Sequence, residues 1–122
     1  MRRQTNQREA IRRAIDVADR PVTPLEIRGA AEAEIPGLGI ATVYRAIKDL
    51  VEEGWLIAVE IPGEPPRYEV ASKPHHHHFH CRKCGTVYEV EGCPGDLKKL
   101  APRGFLLEGH ELILKGLCRA CR

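Results

Sequence analysis

The chain has 122 residues, of which 43% are apolar and 30% charged, with a net charge of +2. That length holds one ordinary domain or two small ones. The composition excludes a disordered chain, and the bulk charge does not by itself announce a nucleic-acid partner. No apolar run approaches the length of a membrane span and no signal peptide precedes the first helix-like sequence, so the expectation is a cytoplasmic protein with no membrane partner.

In chain order, Thr5 opens a predicted helix whose apolar positions Ala10, Ile11, Ala14, Ile15 and Ala18 recur at helical spacing, ending near Asp19-Arg20-Pro21. Arg2, Arg3, Arg8, Arg12 and Arg13 crowd the N-terminus, with Glu9 the one acid among them. Thr23, followed by Pro24 and by Glu26 three residues on, has the pattern of a capping box opening a second helix with Leu25, Ile27, Ala30 and Ala31 as its apolar positions. The linker from Ile35 to Gly39 cannot be helical throughout. A third helix is predicted from Ile40 to Glu53, with Val43, Ile47, Leu50 and Val51 as its apolar face and Gly54 as its stop. Trp55 to Ile61 then reads as a strand, Pro62 to Pro66 as a turn, and Arg67 to Val70 as a second strand.

Three short helices and a hairpin make a winged helix-turn-helix, in which the third helix enters the major groove. Its first turns carry Thr42, Tyr44 and Arg45, whose hydroxyls and guanidinium suit phosphates and base edges. The same residues also suit an ordinary helical surface, because a fold does not fix a function. Past the hinge Ala71-Ser72-Lys73-Pro74, strands are predicted at Thr86–Glu91, Phe105–Leu107 and Glu111–Leu114, and a helix beginning at Asp96 to Leu100. The expected fold is α+β: a winged helix-turn-helix over residues 1–71, a hinge at 72–74, and a small C-terminal α/β unit over 75–122 whose strands invite dimerisation by edge pairing.

All six His and all five Cys lie from His75 onward. Cys81-x-x-Cys84 and Cys118-x-x-Cys121 offer four thiolates, the donor set of a closed structural zinc site that would also pin the chain end. A reversible disulfide switch is the alternative. A redox pair would need a CxxC at a helix start in a βαβ setting, which the pattern lacks. The four consecutive histidines His75 to His78, if extended, alternate sides, so His75 and His77 face one way while His76 and His78 face the other. One strand can thereby serve two sites, and imidazole suits several divalent metals once carboxylates or further His complete the shell.

Taken together, ATVYRAIKDLVEEG (Ala41 to Gly54), RYE (Arg67 to Glu69), HHHHFHCRKCG (His75 to Gly85) and the terminal GLCRAC resemble the ferric uptake regulator family over essentially the whole chain. The resemblance implies a dimeric, metal-activated bacterial repressor that binds palindromic AT-rich double-stranded operators, with no small organic substrate. It implies structural Zn at Cys81, Cys84, Cys118 and Cys121. It implies a hinge sensing site for Fe, Zn or Mn at His76, His78, Glu89 and, at the end of the wing, Glu69. It implies a second site at His75, His77, Asp96 and His110.

Several positions depart from the family pattern. Many relatives add a hinge histidine near the position of Pro21, and the N-terminal half here has no His, so Glu69 carries more of the coupling or Glu60 or Glu64 joins. Asp96 stands where Glu is common. Glu89 stands where the peroxide-sensing branch has Asp, and the hinge Cys of zinc-sensing relatives is missing. His80 and Cys93 match no family role, and Cys93 is expected to be a small buried residue. Two rival readings remain: a zinc enzyme, for which no HExxH signature is present, and a metal buffer or chaperone with no use for Thr42, Tyr44 and Arg45.

Overall fold

The computed structural model describes residues 2–95 and 97–122, residues 2–5 through their backbone alone. The chain forms two compact units, Met1–Lys73 and Pro74–Arg122.

In the first unit, α1 (Arg2–Ala18) buries Ala10, Ile11 and Ile15, and Arg12 lays its guanidinium over the Trp55 ring at 4.6 Å. The helix starts ahead of the expected Thr5. Pro21 cannot continue it, and Val22 instead pairs with Tyr68 through N–H···O bonds of 3.0 and 2.9 Å, an isolated bridge not expected from the sequence. Helix α2 (Pro24–Ala31) begins at the expected capping box: Glu26 N–H donates to Thr23 Oγ1 at 3.1 Å, and Thr23 N–H donates to Glu26 Oε1 at 3.0 Å. Burial pushes the Glu26 carboxyl up, but hydrogen bonds from Arg20 and Thr23 outweigh it and hold the group below its ordinary value.

Helix α3 (Ile40–Glu52) buries Val43, Ile47 and Leu50, and Gly54 ends it at φ 81°. Three expected core residues are exposed: Leu25 (63%), Ala30 and Val51 (39%). The eight residues of α2 bury a narrow stripe, Pro24, Ile27 and Ala31, and each residue beside such a stripe turns about 100° away from it. The wing is the antiparallel pair β1 (Leu56–Val59) and β2 (Arg67–Val70), with Leu56 opposite Val70. Strand β1 is shorter at both ends than the expected Trp55–Ile61.

The second unit is a three-stranded sheet of order β4-β3-β5. β3 (His77–Cys81) and β4 (Val87–Val90) form a hairpin, and β5 (Ile113–Gly116) returns parallel to β3. Gly116 lies against the Phe79 ring, where an added Cβ would come within 3.1 Å. The expected strand Phe105–Leu107 is not formed. A turn closes on it with Phe105 N–H donating to Pro102 O at 2.9 Å, Gly104 adopts φ 85°, and Phe105 and Leu106 remain exposed. The expected helix from Asp96 is reduced to a 3-10 turn, Lys98–Leu100, closed off by Pro102; Asp96 itself lies outside the described residues. Among the described residues no helix is long and apolar enough to cross a membrane.

Candidate metal centres

The four-thiol cluster is built by two tight turns. Gly85 at φ 77° lets its N–H return to Cys81 O at 2.9 Å, and the chain end folds back with Cys121 N–H and Arg122 N–H on Cys118 O at 3.1 and 2.9 Å. Cys81 Sγ accepts from Cys84 N–H at 3.5 Å and Cys118 N–H at 3.4 Å, the donors that stabilise a thiolate. Those N–H groups hold the Cys81 thiol down at about 5, whereas Cys121, hydrogen-bonded to the Cys118 sulfur, is pushed up to about 12. Four thiols in this space cannot all ionise unless a cation joins them. The Sγ atoms of Cys84 and Cys118 lie 3.9 Å apart. A tetrahedron with Zn–S bonds of about 2.3 Å has edges of about 3.8 Å, so the cluster fits zinc. Tyr88 on β4 is an unforeseen neighbour: its hydroxyl hydrogen-bonds Cys118, which lowers that thiol and raises Tyr88 to about 12.

Two further clusters flank β3, because the extended His75–His78 run alternates sides. On one side, His76 and His78 stack edge to face with ring centroids 4.8 Å apart. Glu89 sits directly across from His78 in the β3–β4 register, with Oε2 3.3 Å from His76 Nε2 and Oε1 3.8 Å from His78 Nε2. His76 Nδ1–H donates to Pro74 O at 2.7 Å, which leaves Nε2, the atom facing Glu89, as the nitrogen that could ligate a metal. Glu69, the fourth member expected here, belongs to the other unit. It lies on β2, buried, with Lys73 Nζ 3.8 Å from its carboxylate.

On the other side, His110 Nε2 stands 3.2 Å from His75 Nε2 and 3.3 Å from His77 Nε2, and Cys93 Sγ stands 3.1 Å from the same atom. These four groups lie within 4.8 Å of one another. Burial, then the surrounding imidazoles, push His77 below the ordinary histidine range, so its ring is neutral. Cys93 is exposed, not the buried residue expected of it. His80 lies on β3 opposite Val87 and in none of the three clusters.

On α3 the exposed face carries Tyr44, 55% accessible, and Arg45, whose Nη2 donates to Thr42 Oγ1 at 3.2 Å. Lys48, one turn on, extends this basic face; i,i+3 and i,i+4 spacing from Arg45 and Tyr44 was the signal for it. Asp49 and Glu53 further along are paired with Arg8 at 3.9 and 2.9 Å, which offsets part of the negative charge at that end of the helix.

The model of the Ferric uptake regulator family matches residues 2–115. The ferric uptake regulation protein of Campylobacter jejuni is 34% identical over 124 aligned positions, covering 96% of this chain and 78% of that protein. Among solved structures, the Helicobacter pylori ferric uptake regulator, described as having three functional metal binding sites, superposes with a TM-score of 0.71 at 26% identity, over 94% of this chain and 79% of that one. A zinc-bound manganese uptake regulator superposes with a TM-score of 0.78 at 27% identity, over 92% of this chain and 87% of that one.

Proposed function

Because the chain belongs to the ferric uptake regulator family, whose members are metal-responsive transcriptional regulators rather than enzymes, we propose that it is a cytoplasmic repressor that binds palindromic AT-rich operators as a homodimer when a divalent metal fills its sensing site. The observation that carries this reading is the convergence of His76, His78 and Glu89 on one side of β3, an N/O donor set that suits Fe, Mn or Zn. In this reading Glu69, from the end of the wing, completes the set, with Glu60 and Glu64 as the alternative acids. Cys81, Cys84, Cys118 and Cys121 hold a structural zinc that is not exchanged.

Metal supplies a fixed joint between the two units. Ligands from both units, separated by the Ala71–Pro74 hinge, define one spacing between the winged helices of a dimer. That spacing selects the state in which both third helices meet successive major grooves, and the metal shifts the population by as much as it prefers that state. Thr42, Tyr44, Arg45 and Lys48 then supply phosphate and base contacts. The absence of a histidine before α2 places this coupling on carboxylate oxygen.

Fluorescence anisotropy of a labelled palindromic AT-rich duplex, titrated with protein at fixed Fe, Mn or Zn levels, tests the reading. Wild type should bind in a metal-dependent way. His76→Ala/His78→Ala should lose the metal response while retaining its structural zinc. Equal binding by both proteins at every metal level refutes the sensing role, and no DNA affinity at any loading favours a metal buffer.

A further inference from the structure

We propose that Cys93 completes the second site, which is then a closed four-coordinate centre of three imidazole nitrogens and one thiolate, selective for zinc over manganese and iron. The proposal concerns this centre alone and stands whether or not the chain binds an operator.

The geometry begins with the three imidazoles. Nε2 of His110 is 3.2 and 3.3 Å from those of His75 and His77, and a tetrahedron with Zn–N bonds of about 2.0–2.1 Å has edges of about 3.3–3.4 Å. The rings of His75 and His77 meet edge to face at 4.6 Å, and those of His77 and His110 stack at 5.0 Å, so their nitrogens gather at one corner. Cys93 reaches the same corner from a separate stretch of chain, the turn after β4. Gly92 just before it adopts φ 104°, a sharp change of direction open to glycine, and Cys93 Sγ comes to 3.1 Å from His110 Nε2. Three imidazoles already point to a metal, and the thiol fills the fourth corner.

The chemistry follows from the donor set. A thiolate is a soft ligand that suits Zn, and four protein ligands leave no open position, so the centre is closed to catalysis. The cluster on the opposite side of β3 has imidazoles and a carboxylate and no sulfur. One strand therefore presents a soft site and a hard site back to back, a device for sorting two metals. One contact must change on loading. Leu112 N–H donates to His77 Nδ1 at 3.2 Å, and a His77 ligating through Nε2 carries its own proton on Nδ1. The Leu112 N–H must then turn away, which makes this amide a reporter of the site.

The test uses the full chain, reduced and anaerobic, with zinc retained at the four-cysteine site and checked by mass spectrometry in every sample. Titrated Co(II) should give sulfur-to-cobalt charge-transfer absorption in the near ultraviolet and strong tetrahedral bands in the visible. With the four-cysteine zinc retained, that charge transfer can arise at Cys93 alone among the described clusters. Cys93→Ser should abolish it while circular dichroism and retained zinc show the fold intact, and Asp96→Ala should leave it unchanged. Zinc should displace cobalt from wild type far better than manganese does. Cys93→Ser should shrink that preference by more than the roughly 10–100-fold that loss of a supporting outer-shell group costs. The Leu112 amide resonance should shift on zinc loading. Charge transfer that is absent from cobalt-loaded wild type, or that survives Cys93→Ser with zinc retained, overturns the proposal. So does a site lost in Asp96→Ala and kept in Cys93→Ser.

Discussion

Removal of the four-cysteine zinc should unfold the second unit and spare the first. Among the described residues, the apolar side chains buried in the unit Pro74–Arg122 are Cys81, Val87 and Cys118, two of them thiols of the zinc cluster. Full burial of a valine contributes about 1.5–3 kcal/mol, whereas structural zinc in small domains contributes about 10–16 kcal/mol of apparent free energy near neutral pH. On these magnitudes zinc should outweigh apolar burial here, a metal at the four thiols tying the hairpin at Cys81 and Cys84 to the segment at Cys118 and Cys121 and so holding β3, β4 and β5 together. The first unit has an independent core of eleven buried residues, from Ala10 to Leu56, and no such dependence. Hydrogen exchange read by mass spectrometry, on protein stripped by a chelator under reducing conditions and on Cys118→Ser, resolves the two units. Amides of β3 to β5 should lose protection while those of α1, α2 and α3 keep theirs. If the sheet stays protected after zinc loss has been verified, the metal is not what folds this unit, and a thiol switch becomes the better account of the cysteine pairs.

Four substitutions probe the first unit. Thr23→Ala removes the cap of α2 and should cost about 1 kcal/mol, read as a lower urea midpoint at unchanged slope. Because Glu26 is held below its ordinary value of 4.5, its contribution is complete above that pH and is lost as pH falls through the folded value, so the wild-type advantage should shrink in acid. Leu50→Ala, at a fully buried position, should cost about 2–5 kcal/mol in thermal melts of the first unit and leave zinc content unchanged. On α3, Lys48→Ala should reduce the slope of log affinity against log salt by about 1 without changing sequence preference, whereas Tyr44→Ala should abolish operator binding and spare metal binding.

The first unit is legible in the sequence because its signals are local. A capping box, a proline at the first helical position, a glycine stop and apolar residues at helical spacing each act within one turn of chain, and α2, α3 and β2 begin or end at or within one residue of where those signals put them. Expectation and structure part where periodicity has to choose between adjacent apolar residues. Leu50 and Val51 both read as core, but adjacent helix positions point about 100° apart, and the buried stripe Val43, Ile47 and Leu50 leaves Val51 outside it. The long connection from Glu91 to Leu112 carries weak signals interrupted by Gly and Pro. Its apolar triplet at Phe105 reads as a strand, but the turn from Pro102 to Phe105, with Gly104 at positive φ, breaks the extended run, and the triplet pairs with neither edge strand, β4 or β5.

The metal chemistry divides along the same line. Alternation along an extended strand is a local rule, and it sorts His75 and His77 from His76 and His78 without any knowledge of what faces them. The partners are not local. Glu89 joins His76 and His78 because the tight β3–β4 hairpin sets it opposite His78, a register that the CxxCG turn fixes. His110 reaches His75 and His77 only through the parallel return of β5, beside whose start Leu112 O accepts from His78 N–H at 3.3 Å. Cys93 departs from its expected burial for a physical reason: a lone cysteine in a sequence is most often a small buried residue, and nothing within its own turn says otherwise. A neighbouring glycine is the available clue. Gly92, just before the thiol, adopts a positive φ that glycine takes without strain, so the chain can turn sharply there and bring Cys93 to His110. The thiol therefore belongs to the imidazoles it meets, and the same strand that separates two pairs of histidines separates a sulfur-containing site from a carboxylate-containing one.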